Sequence, residues 1–242
     1  VWNAPLRHDC SILLWSDPDY PEPLRGLPAF PLLLYLKGDE SLLHSPSVAI
    51  VGARDCTREG IAVAAYLARD LSKAGVTIIS GMAMGIDRAA HLAALEGPGR
   101  SIGILGTGVD VPYPQCNTDL YEELAREGLL ISEFPPGTRP AAKHFPIRNR
   151  IISGLSLGVL VVEAAHRSGS LITARLALDQ GREVFAVPGH TMASVSGGCR
   201  ELIRSRAKAV FTADDILLEL AHPLQSTAGG PPGNPPTGFD PS

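Results

Sequence analysis

From Ser47 onward the chain alternates short apolar runs with longer stretches in which apolar residues recur every three or four positions. Val48–Val51, Val76–Ser80, Ser101–Leu105, Leu129–Ser132, Gly158–Val162 and Val184–Val187 are short, β-branched or apolar, and followed by glycine, proline or polar residues, so each predicts a strand. The stretch after Thr57 places Ile61, Ala64, Ala65, Leu67, Ala68 and Leu71 on one helical face, and Gly75 ends it. Further helices are expected through His91 and Leu95 up to Gly97, over Asp119–Arg126 and from Ser170 to Gln180. A last unit combines Leu202–Val210 with a helix over Asp214–Leu220. Strands alternating with helices predict an α/β fold: a doubly wound, mostly parallel sheet with right-handed crossovers and helices on both faces.

In such a sheet the turns that follow the strands share one carboxyl-terminal edge, and ligands bind where the strand order reverses. Gly52 to Arg54, Gly81 to Asp87, Gly106 to Gly108, Glu133 onward, Glu163 to Ser170 and Pro188 to His190 are therefore expected to line one groove.

The flanks break this rhythm. Residues 1–46 are proline-rich with one strand signal, Leu32–Leu36 closed by Gly38, and predict a lead-in that adds one edge strand. Residues 47–222 form the main domain, and 223–242 are proline, glycine and polar residues without periodicity, expected to be a disordered tail or linker. The first residue is Val1 rather than Met, which predicts a piece of a longer protein.

A length of 242 residues with 45% hydrophobic and 19% charged residues suits a globular protein with a sizeable core. The four cysteines, Cys10, Cys56, Cys116 and Cys199, form no CxxC pair, which argues against a zinc site or a disulfide framework and for a reducing, cytoplasmic setting. No apolar run approaches the roughly 20 residues that span a bilayer, and no secretory signal opens the chain, so no membrane partner is expected. The formal net charge of −4 excludes a broadly basic nucleic-acid binder. It leaves room for a confined basic groove, because charges beyond about 10 Å are screened at ordinary salt.

Such a groove has a candidate in Lys143-His144-Phe145-Pro146-Ile147-Arg148-Asn149-Arg150, which gathers three cations around one aromatic ring, with the polar turn Arg167-Ser168-Gly169-Ser170 one strand later. Guanidinium and ammonium groups suit phosphates and a ring face suits a base, the pairing a single-stranded nucleic acid requires. The competing reading has Arg148 and Arg150 pairing with carboxylates at a helix start and Phe145 in the core. The glycine turns and the helix starts at Thr57, Gly85 and Ser170 suit phosphate, although tight turning explains the glycines equally well. No GxGxxG fingerprint and no GxxxxGK[ST] element occurs. Arg54, two residues after a strand and inside the first glycine turn, is placed to fork onto a phosphate, or else to pair with Asp55 or Asp87.

Catalytic signals are thin. Ser170 lacks a GxSxG elbow, His91 faces alanines and leucines, and Glu163 and His190 end strands where satisfying turn donors is as natural a role as acid and base. No carboxylate pair or metal-ligand cluster stands out, so no catalytic residue, cofactor or metal is assigned.

Taken in order, Val48-Ala49-Ile50-Val51-Gly52-Ala53-Arg54, Ser80-Gly81-Met82-Ala83-Met84-Gly85-Ile86-Asp87 with Ala90-His91, Tyr113-Pro114, Phe145 to Ile152, Ser168 to Ala174, Pro188-Gly189 and Leu202-Ile203 resemble the DNA-processing protein A (DprA, also called Smf) family, from about Pro21 to Leu220. The resemblance implies an extended Rossmann-like domain without enzymatic activity that binds single-stranded DNA. It implies protection of incoming strands in natural transformation, loading of the RecA recombinase, and action as a homodimer. By position, Arg54 and Lys143 would hold phosphates and Phe145 would stack on or wedge against a base. Gly52, Gly81, Gly85, Ser168, Gly169 and Ser170 would supply the backbone turns, and Arg148, Asn149 and Arg150 the groove floor. Gln115 and Cys116 stand where a basic residue is common, Cys199 replaces a usual asparagine and Arg206 a usual glycine. The last two fall in a region that resembles the family's self-association surface. The alternative is a nucleotide-hydrolysing enzyme similar to the Rossmann-like phosphoribohydrolases, whose PGGxGTxxE element is compared here with Ser153-Gly154-Leu155-Ser156-Leu157-Gly158-Val159 and is missing. A scaffold whose glycine turns bind nothing is the third possibility.

Overall fold

The computed structural model describes residues 10–189 and 196–226. Among them are nine strands: β1 (Ser11–Leu14), β2 (Leu33–Gly38), β3 (Ser47–Val51), β4 (Thr77–Ser80), β5 (Ser101–Ile104), β6 (Leu129–Ser132), β7 (Gly158–Val161), β8 (Glu183–Ala186) and β9 (Lys208–Ala209). They build one sheet in the order β1-β2-β6-β5-β4-β3-β7-β8-β9. The strands from β6 across to β9 run parallel, and only β1 and β2 pair antiparallel, at the β6 edge. Successive units step outward from β3 to β6 on one side and from β7 to β9 on the other. The strand order therefore reverses between β3 and β7.

Alternating side chains distribute the core to two faces. Val48 and Ile50 of β3 pack with Leu67 and Leu71 of α2 (Arg58–Lys73), and the same layer holds α3 (Ile86–Leu95) and α8 (Ala213–Ser226). Ala49 and Val51 face the opposite layer, which holds Ile151 and Ile152 of α5 (His144–Leu155), Ala174 of α6 (Ser170–Asp179) and Leu202 of α7 (Gly197–Ser205). All five residues of β3 are buried, which explains its unbroken apolar run. A smaller cluster seats α4 (Thr118–Glu127) through Leu120 and Leu124 against Leu130 of β6. Among the described residues no helix is long and apolar enough to cross a membrane.

The structure refines several expectations. The lead-in contributes two strands, because β1, in which only Leu13 is buried, shows too little alternation to be read as a strand, and α1 (Glu22–Arg25) packs Leu24 beneath α5. The basic segment is a helix: Pro146 falls in the first turn of α5, where a missing N–H costs nothing. The stretch Ser153 to Val159 closes α5 and enters β7 at the amino-terminal edge of the sheet, so its comparison with the phosphoribohydrolase element does not bear on the carboxyl-terminal groove. Cys199 is fully buried with its thiol toward the Val161 and Val162 carbonyls, so it acts in packing rather than on a surface. Arg206 has φ −160°, outside the left-handed region, so its backbone does not call for glycine. His190 and the tail over 227–242 lie outside the described residues.

Candidate nucleic-acid interface

A cleft of about 810 Å³ opens at the carboxyl-terminal edge between β3 and β7, on the α5 and α6 side of the sheet. One wall is the turn Gly52 to Asp55, another is Pro140 to Ala142 with the first turns of α5, and the third is Arg167 to Ser170 leading into α6. Segments more than a hundred residues apart in the chain thus meet at the switch in strand order, the place expected for a ligand in an open α/β sheet.

Phe145, the second residue of α5, is half-buried and lines the cleft. Its ring lies over Gly106, where an added Cβ would stand 2.8 Å from the ring's Cδ1. The Arg54 guanidinium is 5.7 Å from the ring centroid and that of Arg148 is 5.9 Å. The Tyr113 ring is 5.5 Å away, tilted by 34°. Among the described residues neither Arg54 nor Lys143 has a carboxylate within ion-pair distance, so both charges are available to a ligand.

The neighbouring cations of α5 have different fates. Arg148 is buried and donates through Nη1 to the carbonyls of Gly81 (2.6 Å) and Ile104, tying the ends of β4 and β5 together beneath Phe145. Burial pushes its pKa down to about 10, Asp87 opposes that and Arg54 adds to it. It therefore remains charged at neutral pH. The buried Asp87 carboxylate accepts from the backbone N–H groups of Gly81 (3.2 Å) and Ala83 (3.3 Å), and desolvation raises its pKa against the pull of Arg148. The pair holds the Gly81 to Ala83 loop from both sides. Asn149 lines the cleft beside Arg148. Arg150 does not: it donates to the Ala29 carbonyl (2.6 Å) and to Glu133 (2.6 Å), fastening the lead-in to the sheet. Carboxylate pairing thus describes Arg150 and not Arg54.

Lys143 is exposed immediately ahead of α5, beside Ala142 of the cleft wall. Ser168 and Ser170 share a hydroxyl contact of 2.7 Å at the start of α6, with Gly169 exposed between them. Gly52 and Gly85 owe their identity to packing: Gly85 has φ 77°, and a Cβ on it would sit 2.4 Å from the Ala53 carbonyl, while one on Gly52 would meet Ile86. Gly81 lines a small pocket between its loop, Tyr113 and Phe145.

Parts of the expected groove lining go elsewhere: Gly106 to Gly108 are absent from the cleft wall, with Gly106 packed against Phe145, and Glu163 and Gly189 line a different cavity. Glu163 accepts from the backbone N–H (2.9 Å) and the hydroxyl (2.6 Å) of Thr57, whose own oxygen caps α2 at Gly60. Glu163, Val187 and Gly189 line this separate cavity against α2. Glu163 is thus a capping residue. His91 is fully buried, its Nδ1 2.7 Å from the Ser101 hydroxyl, and burial, with a contribution from Arg148, pushes its pKa down to about 3. Arg167 lines the cleft, as the expected groove turn Glu163 to Ser170 implies, and Tyr113 lines it too, although its Tyr113-Pro114 motif gives no direction for the ring. Arg54 and Arg167 line the cleft with Asp55, and the buried Arg148 and Asp87 offset each other, so the lining is locally positive on a chain of net charge −4.

The family model described as DNA recombination-mediator protein A matches residues 11–221. The chain is 45% identical over 203 residues to the DNA processing protein DprA of Streptococcus pneumoniae, covering 84% of this chain and 72% of that one. The X-ray structure of Streptococcus pneumoniae DprA superposes with a TM-score of 0.84 at 43% identity, over 87% of this chain and 74% of that one. DNA processing protein A from Helicobacter pylori, described for its single-stranded DNA binding mode, superposes with a TM-score of 0.81 at 32% identity, over 90% of this chain and 98% of that one.

Proposed function

Because this chain belongs to the DNA recombination-mediator protein A family, we propose that it is a non-catalytic single-stranded DNA-binding protein that protects incoming strands and delivers them to a RecA recombinase. The observation that carries this reading is the Arg54 guanidinium, without a carboxylate partner among the described residues and 5.7 Å from the half-buried Phe145 ring, inside a cleft at the switch in strand order. A backbone phosphate on Arg54 with a base against Phe145 uses both groups as their chemistry allows, and the exposed Lys143 would take a second phosphate beside the cleft. Arg148 and Asn149 form the floor, and the Ser168 to Ser170 turn offers donors from the opposite wall. Glu163, the residue a hydrolytic reading would use, is occupied in capping α2. The protein acts in the cytoplasm as a homodimer, and the exposed Phe211 and Leu218 in the late segment support self-association.

Retention of fluorescent oligonucleotides at low salt tests the binding reading. Single strands should be held far more strongly than duplexes, and Lys143→Ala should weaken them; equal retention of both, or of neither, refutes it. Delivery is tested by the rate of RecA filament formation on a strand with and without this protein, an unchanged rate counting against it.

A further inference from the structure

We propose that Tyr113 and Phe145 act together as a two-ring wedge that splays neighbouring bases, so that the cleft selects strands whose bases unstack easily, pyrimidine-rich over purine-rich; this rests on the single-stranded DNA reading above. Tyr113 lies in the loop between β5 and α4, more than thirty residues before Phe145, and the fold brings their ring centroids to 5.5 Å. It is 38% exposed and lines both the cleft and the small pocket against the Gly81 to Met84 loop.

The tilt between the rings carries the argument. Neighbouring bases in a relaxed strand stack parallel. Two bases lying against rings inclined at 34° cannot both stay parallel, so the strand must open at that step. Arg54, 5.7 Å from the Phe145 centroid, is in reach of the phosphate that links the two opened bases. Phe145 is held in place by packing on Gly106 and by the Arg148 guanidinium over its ring, 5.9 Å from the centroid, so its position is preformed. Opening a purine step forfeits more stacking than opening a pyrimidine step, and sequence preference in single-strand binders arises from such stacking and flexibility differences.

Equilibrium binding of dT and dA homopolymers of equal length, across a salt series, tests this on the whole chain with Tyr113→Phe and Tyr113→Leu. Leucine keeps the apolar packing and removes the ring. The wild type should prefer dT. Tyr113→Phe should keep that preference, while Tyr113→Leu should bind dT roughly tenfold more weakly, with an unchanged salt slope and the dT and dA affinities drawn together. If the wild type binds both polymers equally, or Tyr113→Leu keeps the wild-type ratio, the wedge is overturned and the single-strand reading stands. If the wild type retains neither polymer, both fail.

Discussion

Replacing Arg54 with alanine removes a cation that has no carboxylate partner among the described residues and stands 5.7 Å from the Phe145 ring. If that cation neutralises a phosphate, the slope of log affinity against log salt should become shallower by about 0.7, the counterion release of one phosphate on a single strand. At 0.1 M salt the expected loss is therefore about 1 kcal/mol, a roughly fivefold weaker complex. Arg54→Lys keeps the charge and loses the fork, so its slope should match the wild type while its affinity falls between the two. Phe145→Ala supplies the contrast: about 1–3 kcal/mol of affinity lost with the slope unchanged. Fluorescence anisotropy over a salt titration measures all four proteins. An Arg54→Ala protein that binds less tightly at an unaltered slope would show that Arg54 acts only through the ring, and one with unaltered affinity would remove the cleft from consideration.

Other positions separate packing from binding. Gly106→Ala puts a methyl group 2.8 Å from the Phe145 ring, so binding should fall about as far as in Phe145→Ala while circular dichroism stays native; full affinity would show that the ring can shift freely. Glu163→Ala leaves the Thr57 backbone donor without its partner at the start of α2, and a loss of about 1–2 kcal/mol in urea unfolding is expected, with no release of base from nucleotides by either protein; an unchanged midpoint contradicts the capping role. His91 has a folded pKa of about 3 against 6.5 for the free side chain, so the unfolded chain takes up this proton first. Stability from this group is complete above pH 6.5 and drains as pH falls toward 3, by up to about 1.4 kcal/mol per pH unit. Buried Asp87, with its raised pKa, opposes part of this trend, so the measurement is a comparison: His91→Gln should lose less stability than the wild type between pH 7 and pH 5, and parallel curves would refute the assignment.

Local periodicity was enough for the strands from β3 to β8, for the helices that pack on them, and for the gathering of most glycine turns on one edge. Those features follow from side-chain spacing along the chain, the quantity a sequence displays directly. The fates of the cations in α5 do not. Arg148 and Arg150 are two positions apart, about 200° around a helix, so one is sealed under Phe145 and the other faces Glu133 and the lead-in. Phe145 and Arg148, three apart, share a face. Nothing in the residue types distinguishes those outcomes until the segment is known to be a helix and its buried side is known. Tyr113 is a second case, because its place in the cleft depends on which strands are neighbours in the sheet. By itself the sequence determined the layered α/β architecture and the family resemblance. Which charges stay free and which rings meet was decided by the pairing of β3 with β7 and the rotation of α5 about its axis, relations between distant segments that no local pattern encodes.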